Sequence, residues 1–221
     1  MRNIYLLTKN WIHKNMAQPI NVLNGLVYIN NTQVPFLDCP DQAKYSDGVN
    51  TCEYIIVHYT GAPSITSAHN QYLSDAQVSW HLDIDRDGNV TQLLSLDKIA
   101  WHAGQSSWGK GSTALVGMNK YSIGIEHSNS GPLTTKNGAY ANCFGQIIPN
   151  VDVGFDADGN PWQLYSPAQL AASKYLIVEL AKILKVKDIL GHEQISPGRK
   201  QDPGCLYWDT LAEIRNQYFN S

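Results

Sequence analysis

No apolar run in this 221-residue sequence approaches the roughly 20 residues that a membrane-spanning helix requires, so no such helix is expected. Charge is also scarce: Asp, Glu, Lys and Arg make up 16% of the chain and the net charge is −3. That balance leaves no basic footprint, and a nucleic-acid partner is not expected. The four cysteines, Cys39, Cys52, Cys143 and Cys205, show no C-x-x-C spacing, which removes zinc-ribbon and thioredoxin readings. Free thiols in a reduced compartment are the simpler expectation, with a Cys39–Cys52 pairing left open. Internal repeats and low-complexity tracts are missing too. The short apolar stretch Met1–Leu7 is interrupted by Lys9, Asn10 and His13 before a signal-peptide core forms. The expectation is a chain that is cytoplasmic when made.

What the sequence does have is flat, amphipathic surface: 12 Tyr and 6 Trp. Such rings fill cores and also suit sugar or peptide binding. The length fits one medium-sized domain, with a monomer favoured. Residues 1–50 read as an N-terminal extension packed on a main domain of residues 51–221. Within the extension, Gly25–Phe36 has two β-prone runs around Asn30-Asn31, a hairpin pattern. Residues 38–50 read as a loop or boundary.

From Glu53 the pattern alternates strand and helix. Tyr54–Tyr59 (YIIVHY) is a nearly continuous apolar run, as a strand buried on both faces would be. Ser64–Ser74 has helical spacing. Trp80–Asp85 alternates, with Trp80, Leu82 and Ile84 on one face and His81, Asp83 and Asp85 on the other. Asp87-Gly88 marks a hairpin, and Val90–Leu94 is the return strand. Tyr121–His127 is a further strand, with Ser122, Gly124 and Glu126 opposite Ile123 and Ile125. Residues 128–165 read as an irregular loop or lid. Ser166, Pro167 and Gln169 announce a helix with a capping box, and a last helix lies around Asp209–Tyr218. The sum is an α/β fold: a mixed central β-sheet flanked by helices.

Three residues with ligand chemistry end up near apolar strands: His58, His192 and Asp202. Singly, His58 and His192 read more readily as core histidines than as ligands, and Asp202 as a turn residue. Together with their flanks they resemble a known family, the zinc amidases that include muropeptide-recycling amidases, phage endolysin amidases and animal peptidoglycan recognition proteins. The resemblance covers roughly Glu53–Tyr218. It rests on Ile56-Val57-His58-Tyr59-Thr60, on Trp80-His81 before Arg86-Asp87-Gly88, and on Ala100-Trp101-His102-Ala103-Gly104. Ser122-Ile123-Gly124-Ile125-Glu126 and Gly191-His192 followed by Pro197–Gly204 complete it.

The resemblance implies a zinc ion held by His58, His192 and Asp202, with Cys205 the less favoured alternative to Asp202. Two imidazoles and a carboxylate leave a fourth position for water, the arrangement of a catalytic zinc. It also implies Glu126 as general base and Lys200 as the cation that stabilises an oxyanion. His81, His102, Trp101 and Arg199 match positions that line a substrate groove, while His13, His69 and His127 are left as structural or surface residues. The implied substrate is peptidoglycan or a muropeptide, cut at the amide joining N-acetylmuramic acid to L-alanine. A phage endolysin is favoured over a cytosolic muropeptide-recycling enzyme. A peptidoglycan-binding protein without catalysis on the same fold is the third reading. An unrelated amide substrate also stays open, because zinc and a base act on any well-placed amide.

Overall fold

The computed structural model describes residues 18–39 and 44–220. His13, the Met1–Leu7 stretch and part of the 38–50 boundary lie outside the described residues. Five strands build the central sheet: β1 (Tyr54–Tyr59), β2 (Leu82–Ile84), β3 (Val90–Gln92), β4 (Ser122–His127) and β5 (Asp188–Gly191). Their order is β5-β1-β4-β2-β3. The first four run parallel and β3 pairs antiparallel with β2 through the Asp87-Gly88 turn, so the sheet is mixed as expected.

Both faces of this sheet are covered, which explains the unbroken apolar run in β1. Ile55, Val57, Ile123, Ile125 and Ile189 pack with Leu176, Ile177 and Leu180 of helix α2 (Pro167–Leu184). Tyr54, Ile56 and Leu190 face the other way, against Ala103, Met118 and Ile195. That second face carries helix α1 (Ile65–Leu73) toward its β2 side, and it is the face that bears the site. Two further helices, α3 (His192–Ile195) and α4 (Trp208–Phe219), follow β5.

The α2 cap forms only in part as predicted. Ser166 Oγ accepts the Gln169 backbone N–H at 3.0 Å. The Gln169 side chain does not return to the cap; its Nε2 donates instead to Ile84 O and Ser128 O, where buried carbonyls compete for it.

The N-terminal segment holds two turns rather than one. Strands Ile20–Leu23, Leu26–Ile29 and Thr32–Gln33 form a small sheet, with Asn24-Gly25 and Asn30-Asn31 at positive φ in the turns. Ile20, Val27, Ile29 and Val34 belong to the main core, and Gln92 of β3 bonds Val27 N–H and Gly25 O.

Residues 128–165 are not irregular. Strands Thr134–Lys136, Ala139–Ala141 and Ile147–Ile148 form one small sheet, and Val153–Phe155 with Pro161–Gln163 form another. Short strands with Gly turns hide their alternation from a sequence reading, so the loop expectation is corrected here. All four cysteines are free, Cys39 and Cys52 included.

Candidate metal centre and cleft

Register explains how the site assembles. In the parallel pairing Glu126 of β4 lies opposite His58 of β1, while Ile56 lies opposite Leu190 of β5. Two residues past Leu190, His192 opens α3 and reaches the same level. His192, His58 and Glu126 therefore form a row at the carboxyl ends of three parallel strands, the usual place for a site in an α/β sheet. Asp202 returns from the following loop, anchored by the Glu193 N–H donating to its backbone oxygen at 2.9 Å.

The three candidate ligands converge. His58 Nδ1 and His192 Nδ1 each lie 2.9 Å from Asp202 Oδ2, and 3.0 Å from one another. All three residues are buried. Cys205 is exposed and outside this group, so the geometry brings Asp202 rather than Cys205 to the histidines.

The proton assignments, made from the hydrogen-bond network, test whether a cation fits. His192 Nε2 lies 3.1 Å from Ala103 O, an oxygen that only accepts, so Nε2 carries the hydrogen and Nδ1 is a bare lone pair. Arg199 Nη2 is 3.3 Å from the same nitrogen, but its shorter contacts, 2.7–2.9 Å, go to Ala103 O, Gln105 O and Ser196 Oγ. His102 Nε2 is directed to Ser122 O at 3.3 Å, which leaves His102 Nδ1 to accept from His58 Nε2–H at 3.0 Å. His58 Nδ1 is then bare as well. Two lone pairs and a carboxylate oxygen facing each other in a buried space repel, and a cation relieves that repulsion. The donor set fits a metal ion with its outer partners already in place.

Electrostatics agree. Burial holds the His58 imidazole down at about 4, with His192 adding to the effect, so it stays neutral and able to ligate. His102 is lowered well below the usual range by burial and then by His58 and His81. Burial pushes Glu126 well above the usual carboxylate range, the Asp202 charge adds to this, and Lys200 partly offsets it.

A cleft of about 520 Å³ opens over this group, lined by His58, Trp80, Glu126, His192, Lys200 and Asp202 among others. His102 reaches it but serves chiefly as the partner of His58. Arg199 borders it while its guanidinium holds the Ala103 and Gln105 carbonyls. Two expectations are corrected. His81 is fully buried, accepting the Gly124 N–H on Nδ1 at 3.0 Å and donating from Nε2 to Lys98 O at 2.9 Å, so it is not at the groove. Trp101 is not among the residues that line this cleft, and its Nε1 donates to Ser46 Oγ at 2.8 Å.

The structure adds residues that the sequence reading did not select. Gly124 is needed because a Cβ there would sit 2.5 Å from the His102 ring. Asp83 is the Cα partner of Glu126 and shares its face, a placement its strand alternation with His81 already contained.

A sequence model of the N-acetylmuramoyl-L-alanine amidase family matches residues 48–205, a span that holds every residue of this constellation. The chain belongs to that family. N-acetylmuramoyl-L-alanine amidase AmiD of Escherichia coli (strain K12) is 30% identical over 173 residues, 72% of this chain and 51% of AmiD. The 1,6-anhydro-N-acetylmuramyl-L-alanine amidase AmpD of the same organism is 29% identical over 135 residues, 61% of this chain and 56% of AmpD. The chain thus spans about half the length of the curated relatives it matches. Among solved structures, E. coli AmiD in complex with the substrate anhydro-N-acetylmuramic acid-L-Ala-D-gamma-Glu-L-Lys aligns with a TM-score of 0.55 at 25% identity. That alignment covers 88% of this chain and 65% of AmiD. PlyL, at 16% identity and a TM-score of 0.53 over 85% of this chain and 99% of that one, shares the amidase fold.

Proposed function

We propose that this amidase-family chain is a zinc-dependent hydrolase of the amide between the lactyl group of N-acetylmuramic acid and L-alanine. The observation that carries the reading is the convergence of two bare Nδ1 atoms and Asp202 Oδ2 beneath a cleft that also holds Glu126 and Lys200. His58, His192 and Asp202 would hold the zinc. When bound, it lowers the pKa of a coordinated water toward neutrality and polarises the amide carbonyl.

The chain's own residues supply the rest. Glu126, kept proton-hungry by its burial, accepts the proton of the attacking water and returns it to the departing L-alanine nitrogen. Lys200, at the cleft rim, places a positive charge for the oxygen that becomes anionic as the carbonyl is attacked. His102 and the Ala103 carbonyl fix the two imidazoles in the ligating tautomer. A binding protein without catalysis would not need Glu126 and Lys200 beside a complete ligand set.

For biological role we favour a phage endolysin, made in the cytoplasm and reaching the wall after the host membrane is permeabilised. The ordered 128–165 insertion and the low positive charge support that reading. A muropeptide-recycling role is the alternative, favoured by the match to a 1,6-anhydro-N-acetylmuramyl-L-alanine amidase. Side-by-side assays decide between them: an endolysin releases peptides from intact sacculi, whereas a recycling enzyme acts on soluble anhydro-muropeptides and leaves sacculi intact.

A further inference from the structure

Of the three candidate ligands, His58 lies in β1 and His192 follows β5 directly, whereas Asp202 sits in the loop between α3 and α4. The sheet therefore does not place Asp202. Two bare nitrogens face its carboxylate, and their repulsion works against the ligating position until a cation arrives. The Glu193 N–H holds its backbone oxygen at 2.9 Å, and the residues just after it are met by the far end of the 128–165 segment.

The hairpin of Val153–Phe155 and Pro161–Gln163 turns one face to that loop. Gly154 and Trp162 are strand partners and so share a face. A Cβ on Gly154 would lie 2.8 Å from the side chains of both Leu164 and Leu206, so this strand sits directly against the loop. Gly204, two residues past Asp202, has a φ of +86°, and a Cβ there would lie 2.7 Å from the Trp162 ring. Indole and backbone thus meet with no side chain between them. Trp162 Nε1–H donates to Asp156 Oδ2 at 3.3 Å, while Asp156 Oδ1 accepts the Asp158 and Asn160 N–H groups at 3.0 and 2.8 Å. The hairpin turn in this way sets the direction of the indole. Tyr59, which follows His58 and lines the cleft, meets the same ring edge-on at 6.5 Å. Just past the hairpin, buried Tyr165 donates its O–H to Pro203 O at 2.7 Å.

We propose that this hairpin braces the metal centre, with Trp162 and Tyr165 as positioning residues that hold Pro203 and Gly204 and so keep Asp202 beside His58 and His192. The inference rests on reading those three residues as metal ligands. A ligand held in place before the metal arrives spares binding the conformational entropy of ordering it. The 128–165 segment then acts at the metal, through the loop that carries its carboxylate.

Zinc affinity of the full chain, read by competition with a chromophoric chelator, tests the brace without any turnover. Trp162→Ala takes the indole off Gly204 and should weaken zinc binding about 10-fold or more, as loss of an outer partner does. Trp162→Phe keeps a ring over the glycine and should stay within about threefold of the wild type. Phe155 belongs to the same hairpin but to its other face, 51% exposed and 5.9 Å from the Tyr140 ring. Phe155→Ala should therefore leave zinc affinity unchanged, which separates the brace from a general loosening of the hairpin. Tyr165→Phe deletes only the O–H to Pro203 and should weaken binding about threefold or more, a variant that serves even where Trp162→Ala does not fold. Wild-type affinity in Trp162→Ala or in Tyr165→Phe overturns the proposal, as does an equal loss in Phe155→Ala. A wild-type chain that binds no zinc would instead overturn the ligand set, and the brace with it.

Discussion

His58 Nε2 donates to His102 Nδ1 at 3.0 Å, and this one bond determines which nitrogen of His58 can face a metal. Removing it by His102→Phe should free the ring of His58 to rotate and change tautomer. Loss of such an outer partner typically lowers metal affinity about 10–100-fold. Competition with a chromophoric chelator measures this, and unchanged affinity would mean that His102 is a bystander.

Gly124 should reproduce that defect from the other side. A Cβ at this position would lie 2.5 Å from the His102 ring, which is buried against the rings of His58 and His81. Overpacking of this kind costs about 1–3 kcal/mol. Gly124→Ala should therefore lower both the thermal midpoint and the metal affinity, whereas Gly198→Ala, with nothing within 4 Å of its Cβ, should leave metal affinity intact despite local strain at its φ of +75°.

The ligand set predicts a contrast between two neighbours. Asp202→Ala should abolish metal loading, and Cys205→Ser, at an exposed position outside the group, should leave it unchanged. Metal content by atomic emission after dialysis checks both. A metal-free Cys205→Ser protein would return the third ligand to sulfur.

Stability should fall on acidification of chelator-treated protein. Burial holds His81 and His127 down at about 4, against 6.5 for an exposed imidazole. Between those values the unfolded chain binds more protons, so stability is fully present above about 6.5 and drains away as pH falls toward about 4. Thermal midpoints should be flat from about pH 7 to 8 and drop steadily below about 6.5. A midpoint independent of pH down to about 4 would show that these rings are not buried neutral.

Much of this site could be read from local sequence because it lies on elements with clear periodicity. The apolar run Tyr54–Tyr59 and the alternation around Glu126 gave β1 and β4, and parallel pairing then set His58 beside Glu126. What alternation reports is a face, not a depth. His81 shares a face with Asp83, yet its ring is enclosed by bonds to Gly124 and Lys98, partners 43 and 17 residues away. The same blindness to distant partners sent Trp101 to the groove instead of to Ser46. The Asn24-Gly25 turn is different: its dipeptide signal was present, but a hairpin centred on Asn30-Asn31 had absorbed the neighbouring strand.

Metal-dependent cleavage of one amide is read out by product analysis on purified peptidoglycan. With zinc-loaded protein, free L-alanine amino termini should rise while reducing sugar stays constant, and chelation should stop the reaction. A glycosidase would need two carboxylates flanking a sugar linkage, whereas Asp202 is engaged with His58 and His192. Newly formed reducing ends, or amino termini that appear undiminished with chelator present, would rule out a metal-dependent amidase.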